Sequence, residues 1–284
     1  MLINGKEIAQ NIQEKLKQEI SATNTNTNTK EKPELFIISV GENPVTQKFI
    51  QQKKKFGEAI GITVTEHTLN EDITTEEIIE KIQSLKNERG GIIVQLPLPN
   101  HIDKTAVLNS IPVSHDVDVL SQKAFELFKN GDSTIMPPVV GAIKEILLQH
   151  NVFTGNKNIV VIGKGRLVGE PSAIWFERHQ GNVQIIDSKT PNPEHHILNA
   201  DIILSGTGRP HFVKPDMVKS GVVLLDAGTS TALSASTSEQ GGTLKGDIDP
   251  TCAEKASLFT PVPGGIGPIT VAVLFRNLLV LLKN

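Results

Sequence analysis

The chain of 284 residues contains no tyrosine, a single cysteine and no long uninterrupted hydrophobic run. The single cysteine, Cys252, excludes an internal disulfide bond and a cysteine-rich zinc cluster. The longest apolar tract, residues 271–282, is interrupted by Arg276 and Asn277, and the first residues lack the apolar core of a signal peptide. These absences predict a soluble, cytoplasmic protein without a membrane partner.

The charges are also nearly balanced, with 28 basic against 31 acidic residues. Such a balance gives no support for binding nucleic acid or an anionic membrane, so any phosphate-binding site has to be local. The histidines include the adjacent His195 and His196, whose spacing does not suit two metal ligands on one helix face. We therefore expect no metal site.

What the chain does have is an alternation of helical periodicity and short apolar runs, which predicts an α/β fold. In the first half the predicted elements are a helix over 6–20, a loop over the Asn-Thr repeat at 24–30, a strand over 34–40, a helix over 45–60, a strand over 62–69, a helix over 75–87 and a strand over 91–95. In the second half they are a helix over 140–150 and strands over 158–163, 182–186, 202–205 and 222–226. This order is typical of largely parallel sheets covered on both faces, and it makes the second half a Rossmann-like dinucleotide-binding domain.

A glycine-rich turn follows the first strand of the second half, with glycines at Gly163, Gly165 and Gly169. Glycines between a strand and a helix allow a tight turn and bring backbone N–H groups to a pyrophosphate. The spacing is one residue longer than the usual fingerprint. Because strand, glycine turn, helix and strand occur in the required order, we favour nucleotide binding over a purely structural turn.

The coenzyme is less clear from these residues. The next strand ends at Asp187 and Ser188. An acid at this position usually accepts a hydrogen bond from the ribose 2′-hydroxyl, which favours NAD. Lys164 in the glycine turn and Ser188 instead favour the 2′-phosphate of NADP.

Candidate catalytic residues cluster in the first half. Phe49 and Lys53 are four residues apart and share a helix face, and a partly buried lysine can take part in proton transfer near neutral pH. Gln95 ends an apolar strand, at the sheet edge where open α/β folds bind ligands. Asp118 has a carboxylate suited to an N–H-rich ring edge. Taken singly, Lys53 suits a solvated face, Phe49 a core position and Asp118 a turn.

The segment 260–270 is rich in proline and glycine and runs into an apolar helix. Proline stiffens a loop and glycine permits sharp turns, so a flat ligand can lie directly on its main chain. We expect Thr270 to cap the helix or to lie in its first turn, where N–H groups are available to a ligand. The alternative is a tight connector before a terminal helix.

Together these residues resemble the bifunctional methylenetetrahydrofolate dehydrogenase/cyclohydrolases of one-carbon metabolism. The resemblance spans nearly the whole chain, and its most specific motifs are Val-Gln-Leu-Pro-Leu-Pro and the proline- and glycine-rich segment. The matching segments are residues 4–9, 40–44, 91–99, 116–118, 246–249 and 260–270.

The resemblance implies a fold of two α/β domains with a folate cleft between them, and a homodimer. Residues 1–139, completed by the helix at 268–284, would form the folate-binding catalytic domain, and residues 140–267 the Rossmann-like NAD(P)-binding domain. The implied reactions are oxidation of 5,10-methylenetetrahydrofolate to the methenyl cation with NADP, with NAD possible, and hydrolysis to 10-formyltetrahydrofolate.

The resemblance also assigns roles to residues. Lys53 would assist water attack and proton movement, held by a hydrogen bond to Gln95, while Asp118 would bind the pterin. Folate contacts would come from Phe49, Pro263, Gly264 and Gly267. Dinucleotide contacts would come from Gly163, Lys164, Gly165, Asp187, Ser188, Thr229 and Thr270.

Some positions differ from the family pattern. Phe49 stands where the family has tyrosine, which keeps the ring but loses the hydroxyl and is expected to weaken cyclohydrolase activity. Residues 119–120 and 136–139 change two other motifs, and Lys164-Gly165 replaces Arg-Ser. Two alternatives follow: a dehydrogenase that has lost the hydrolytic step, and a non-catalytic nucleotide-binding paralogue. The joint presence of Lys53, Gln95 and Asp118 opposes the second.

Overall fold

The computed structural model describes residues 1–26, 33–232 and 243–283. The α-helices in these ranges are α1 Gly5–Asn26, α2 Pro44–Ile60, α3 Thr75–Ser84, α4 Lys104–Asn109, α5 Gln122–Asn130, α6 Pro138–Gln149, α7 Gly169–Arg178, α8 Pro193–Asn199 and α9 Ile266–Leu281. The strands are β1 Glu34–Val40, β2 Thr63–Leu69, β3 Gly90–Val94, β4 Asn158–Ile162, β5 Asn182–Ile186, β6 Ile202–Ser205, β7 Val223–Asp226, β8 Ser230–Ala232, β9 Thr243–Lys245 and β10 Leu258–Phe259.

The chain divides into two compact units. The three-stranded unit comprises Ala9–Pro138 and Val271–Asn284, and the five-stranded unit comprises Met1–Ile8 and Val139–Thr270. The domain boundaries inferred from the resemblance, 139/140 and 267/268, stay a prediction.

The three-stranded unit is built on a parallel sheet of order β2-β1-β3. Every residue of β3 is buried, as expected for a strand that is covered on both faces. Helix α3 packs Ile78 and Ile82 into the core on this sheet, beside Ile38 and Ile92. A reciprocal capping box fixes the start of α3, because Glu77 N donates to Thr74 Oγ1 at 3.2 Å and Thr74 N donates to Glu77 Oε2 at 2.8 Å.

The five-stranded unit has a parallel sheet of order β10-β7-β6-β4-β5. The chain leaves β4 toward β5 on one side and later returns to β6 on the other, so the strand order reverses between β4 and β6. In open α/β sheets, such a reversal opens a crevice at the carboxyl ends of the strands. Helix α7, after β4, carries the single tryptophan: Trp175 is 8% exposed, and its ring centroid lies 4.3 Å from that of His179.

The predicted alternation of helices and parallel strands is confirmed, with differences at element ends. Residues 24–26 of the Asn-Thr repeat form the last turn of α1 instead of a loop, because a helix already fixed by buried Ile12, Leu16 and Ile20 extends at little cost. Residues 27–30 lie outside the described residues. Within the described ranges, no helix is both long and apolar enough to cross a membrane.

Candidate active site

Lys53 and Gln95 form a direct hydrogen bond in the three-stranded unit. Lys53 Nζ, on α2, donates to Gln95 Oε1 at 3.0 Å. Gln95 follows β3 directly, and its backbone N–H donates to Ile38 O at 2.8 Å. Its side-chain Nε2 donates to Leu96 O at 3.0 Å. The amide is therefore held at both ends, with its oxygen directed at the lysine ammonium.

Lys53 differs from the two lysines that follow it. Burial lowers the pKa of Lys53, and the negative charge of Asp118 opposes this shift. Lys54 instead pairs with Glu66, with Nζ 2.7 Å from Oε2, and the side chain of Lys55 is exposed. The alternative of a solvated lysine face thus does not describe Lys53. A lysine with a lowered pKa is suited to proton transfer near neutrality.

Asp118 is the acidic partner of this cluster. Burial raises the pKa of Asp118 to about 6, the charge of Lys53 opposes the shift, and the charge of Asp116 adds to it. Asp116 has a structural role, since it accepts hydrogen bonds from Leu120 N at 3.1 Å and from Ser121 N at 2.8 Å. Within the Asp-Val-Asp motif, the Asp116 carboxylate therefore stabilises the turn that follows, and the Asp118 carboxylate acts on Lys53.

Two further features hold Asp118, and the sequence analysis gave neither a role. The amide Nδ2 of Asn277, on α9, donates to Val117 O at 2.9 Å and to Met136 O at 2.8 Å. Val119 has a φ of 57°, in the left-handed region that a β-branched residue rarely adopts. The residues on both sides of Asp118 are thus constrained, by a buried amide on one side and by an unusual backbone conformation on the other.

The predicted folate contacts fall in different places. Phe49 is half-buried on α2, one turn before Lys53. Pro263, Gly264 and Gly267 lie in the five-stranded unit, where Gly264 has a φ of 104° and its carbonyl accepts from Gly5 N at 2.9 Å.

The expected position of Thr270 is wrong. Helix α9 begins at Ile266, so Thr270 lies in its second turn, and its hydroxyl donates to Gly267 O at 2.7 Å. The physical reason is Pro268. A proline in the first turn lacks only an N–H that would have no helical partner, so the helix includes the end of the proline- and glycine-rich segment.

The glycine turn of the five-stranded unit joins β4 to α7. Gly163 has a φ of 94°, and its N–H donates to Ile186 O at 2.8 Å. A Cβ atom at Gly169 would lie 2.0 Å from Gly163 O, so only glycine permits this close approach. A Cβ atom at Gly165 would have no atom of the described residues within 4 Å, which leaves the backbone open to a ligand. This geometry fits a pyrophosphate.

Lys164 and Asp187 meet at the rim of this turn. Lys164 Nζ lies 2.7 Å from Asp187 Oδ2, and Lys189 N donates to Asp187 Oδ1 at 2.9 Å. These hydrogen bonds lower the pKa of Asp187. Ser188 and Thr229 are exposed, after β5 and β7 respectively. The predicted dinucleotide contacts, except Thr270, thus follow the carboxyl ends of strands β4, β5 and β7.

No group of three or more metal-binding side chains occurs among the described residues. A parallel sheet with a glycine turn at its reversal point, together with a separate Lys-Gln-Asp cluster, defines a dinucleotide-dependent α/β enzyme. Sequence profiles of the tetrahydrofolate dehydrogenase/cyclohydrolase catalytic domain and NAD(P)-binding domain match residues 3–118 and 137–284. The chain belongs to the tetrahydrofolate dehydrogenase/cyclohydrolase family.

Similar proteins cover the chain end to end. The bifunctional protein FolD of Clostridium novyi (strain NT) is 36% identical over 282 residues, which cover 97% of each chain. The crystal structure of the bifunctional FolD enzyme from Campylobacter jejuni is 32% identical, with a TM-score of 0.93, and the match covers 100% of this chain and 99% of that one.

A third similar protein is the Trypanosoma brucei FolD enzyme, whose structure was determined with NADP and an inhibitor. It is 30% identical, with a TM-score of 0.94, and the match covers 100% of this chain and 97% of that one. These similarities confirm the predicted family and the predicted fold class.

Proposed function

We propose that this protein oxidises 5,10-methylenetetrahydrofolate to 5,10-methenyltetrahydrofolate with NADP and hydrolyses the product to 10-formyltetrahydrofolate. The observation that carries the proposal is the 3.0 Å hydrogen bond from Lys53 to Gln95, with the charge of Asp118 acting on the same lysine. These are the three residues to which the family resemblance assigns the folate chemistry.

NADP, when bound, supplies the acceptor for the hydride that leaves the bridging carbon. The chain contributes the open backbone at Gly165 and the tight turn at Gly163 for the pyrophosphate. Lys164 and Ser188 are the proposed contacts to the ribose phosphate, and Asp187 and Thr229 complete the proposed dinucleotide set. Thr270 stays a proposed dinucleotide contact.

The hydrolytic step needs a proton acceptor next to a cationic substrate. A fully protonated lysine would repel the methenyl cation, so the burial that lowers the pKa of Lys53 favours both binding and catalysis. In the proposed step, water forms a bond to the methenyl carbon and the Lys53 amine takes the proton that the water loses. When the ring opens, the bond from carbon to N5 breaks and N5 takes up the proton held by Lys53, while the added hydroxyl loses its own proton to solvent as the formyl C=O forms. The products are 10-formyltetrahydrofolate and one proton.

Gln95 and Asp118 act through position and charge. The Gln95 carbonyl oxygen accepts from Lys53 Nζ and so orients the amine. Asp118 is the proposed partner of the pterin N–H groups. Phe49, Pro263, Gly264 and Gly267 are the other proposed folate contacts.

The proposal is tested by following methenyltetrahydrofolate absorbance in purified protein, with NADP and with NAD in parallel, and then following its enzyme-dependent decay. We expect formation with NADP, followed by decay. Lys53→Met is expected to abolish the decay, whereas the matched variant Lys55→Met, at an exposed lysine of the same run, retains it. Unchanged decay in Lys53→Met contradicts the role of Lys53, and no turnover in the folded wild type contradicts the function.

The proposal also includes a cytoplasmic homodimer and two domains, residues 1–139 with 268–284 and residues 140–267. The family resemblance supports these statements. Sedimentation equilibrium tests the homodimer, because a dimer has twice the 30.8 kDa mass of the chain. Limited proteolysis tests the division into two domains, since cleavage is expected near the proposed domain boundaries.

A further inference from the structure

A buried carboxylate, that of Asp247, gathers three hydrogen-bond donors on one of its oxygens. Asp247 is 0% exposed. Its Oδ2 accepts from Ser205 Oγ at 2.8 Å, from Thr207 N at 2.6 Å and from Thr207 Oγ1 at 3.0 Å. Several donors on one oxygen are best satisfied by a charged acceptor, because charge-assisted hydrogen bonds are shorter and stronger than neutral ones.

These donors belong to the end of β6 and to the turn that follows it. The turn packs on the glycine turn: a Cβ atom at Gly163 would lie 3.1 Å from Thr207 Cγ2 and 3.2 Å from Gly206 O. At Gly206, a Cβ atom would lie 2.4 Å from Val168 Cγ1. The turn held by Asp247 therefore contacts both ends of the glycine turn, at the reversal point between β4 and β6.

A second buried carboxylate, that of Asp226, holds the backbone of Asp247. Asp226 Oδ1 accepts from Asp247 N at 3.1 Å and from Gly228 N at 2.9 Å, and its Oδ2 accepts from Ile248 N at 2.8 Å. Burial raises the pKa of Asp226 to about 6, and the charge of Asp247 contributes to the shift. These hydrogen bonds therefore fix the backbone of Asp247 and Ile248, independently of the contacts that the Asp247 side chain makes with the turn after β6.

Asp247 is not optimised for stability alone. Its other oxygen, Oδ1, is buried and has no hydrogen-bond partner among the described residues. A buried acceptor without a partner is unfavourable. A Cβ atom at Gly228 would lie 2.2 Å from this oxygen, so the carboxylate also requires glycine beside it. Both constraints at Oδ1 are costs of placing the Asp247 carboxylate where its other oxygen, Oδ2, can hold the turn after β6.

We propose that Asp247 is a positioning residue for the dinucleotide. It fixes residues 206–207 in the conformation that leaves the crevice between β4 and β6 open to the cofactor, without contacting the cofactor itself. The inference rests on the proposed function. It adds a residue to which the sequence analysis gave no role, although it lies in the Gly-Asp-Ile-Asp segment that resembles the family.

The test separates this role from general stability by using the hydrolytic reaction as an internal control, because that step needs no dinucleotide. NADPH binding is measured by calorimetry in the wild type and in Asp247→Asn, with cyclohydrolase kcat/KM and thermal unfolding in parallel. In Asp247→Asn we expect the NADPH Kd to rise about tenfold, as for the loss of one hydrogen bond to a charged group, and cyclohydrolase kcat/KM to stay unchanged.

Two more variants cover the case in which Asp247→Asn does not fold. Thr207→Val removes the side-chain donor and leaves the carboxylate, so a smaller rise in Kd is expected. Thr251→Val removes a comparable threonine-to-aspartate hydrogen bond, to Asp249 in an exposed segment, and is expected to leave the Kd unchanged.

An unchanged Kd in folded Asp247→Asn, or in Thr207→Val where Asp247→Asn does not fold, overturns the inference. An equal loss of NADPH binding and cyclohydrolase activity overturns it as well, since that result indicates a general structural role. Wild-type protein that neither binds NADPH nor turns over substrate overturns the proposed function, and the inference with it.

Discussion

Lys164 and Asp187 form an ion pair, with Nζ 2.7 Å from Oδ2, across the rim of the glycine turn. The lysine side chain is 68% exposed, so the pair contributes little to stability. It lies where dinucleotide folds distinguish a ribose 2′-hydroxyl from a 2′-phosphate. The two partners favour opposite coenzymes, and their contact means that the lysine must be shared between Asp187 and a 2′-phosphate.

Removal of the acid is expected to favour NADP. In Asp187→Ala the lysine is released from its carboxylate partner and the repulsion of a 2′-phosphate disappears, so the ratio of NADPH to NADH affinity should rise about tenfold. Lys164→Met should lower the same ratio. Both affinities are measured by titration calorimetry.

A matched control is available in the same unit. Lys219 pairs with Asp201 at the same distance, 2.7 Å, away from the glycine turn. Lys219→Met is expected to leave the coenzyme ratio unchanged. A shift in Lys219→Met as large as in Lys164→Met contradicts a specific role for the pair at the rim.

Restoring the missing hydroxyl at residue 49 is expected to raise cyclohydrolase activity. Phe49 lies one turn before Lys53 on α2, so the hydroxyl of Phe49→Tyr would add a donor and acceptor near the lysine. We expect kcat for hydrolysis to rise severalfold and dehydrogenase activity to change little. The same substitution made together with Lys53→Met should bring no gain, and a gain in that double variant contradicts the coupling.

The pH dependence of hydrolysis should reflect Asp118. Because the pKa of Asp118 is raised to about 6, the carboxylate is ionised above this pH and protonated below it. Protonation removes the negative charge that binds the pterin N–H groups, so kcat/KM is expected to fall as the pH decreases through about 6. In Asp118→Asn activity should be low and this acidic limb absent. A profile of the variant that retains the limb assigns it to another group.

Asn277 should be important for stability. Its Nδ2 donates to two backbone carbonyls, Val117 O and Met136 O, and the residue is 3% exposed. Asn277→Ala leaves buried acceptors without partners, so the free energy of unfolding should fall by about 2 kcal/mol or more. Denaturant unfolding measures the effect. Lys283→Met, which breaks an exposed ion pair with Glu19, is the control and should change stability by less than about 1 kcal/mol.

The site residues that could be predicted follow local rules. A four-residue spacing placed Phe49 and Lys53 on one helix face, and an apolar run predicted Gln95 as the last residue of a strand, which in the structure ends one residue earlier, at Val94. The glycine turn was predictable because glycine spacing and element order both occur along the chain. In each case neighbouring residues fix the position of the functional group.

The residues that could not be predicted depend on contacts between distant segments. Asn277 stood out in the sequence only as a polar break in an apolar tract, and nothing local indicates that it reaches Val117 O. Asp247 is 40 residues from Thr207, yet its carboxylate accepts hydrogen bonds from the N–H and the hydroxyl of that threonine. A polar residue acquires such a role only after the sheet has brought these segments together.

Some elements were missed although their signals are local. Helix α5 went unpredicted, yet Ser121 caps it by accepting from Ala124 N at 3.3 Å, and Gly131 ends it with a φ of 90°. A serine three residues before its cap partner and a glycine after the last apolar residue are sufficient to define this short helix. The omission of α5 was thus a matter of capping, not of tertiary contacts.

The absence of tyrosine has an optical consequence. With a single tryptophan and no tyrosine in the chain, near-ultraviolet emission comes almost entirely from Trp175, on the helix that begins at the glycine turn. NADPH absorbs in the range where tryptophan emits, so cofactor bound at that turn should quench the emission by energy transfer. The native protein therefore contains its own fluorescent probe, which reports on one unit without an attached label.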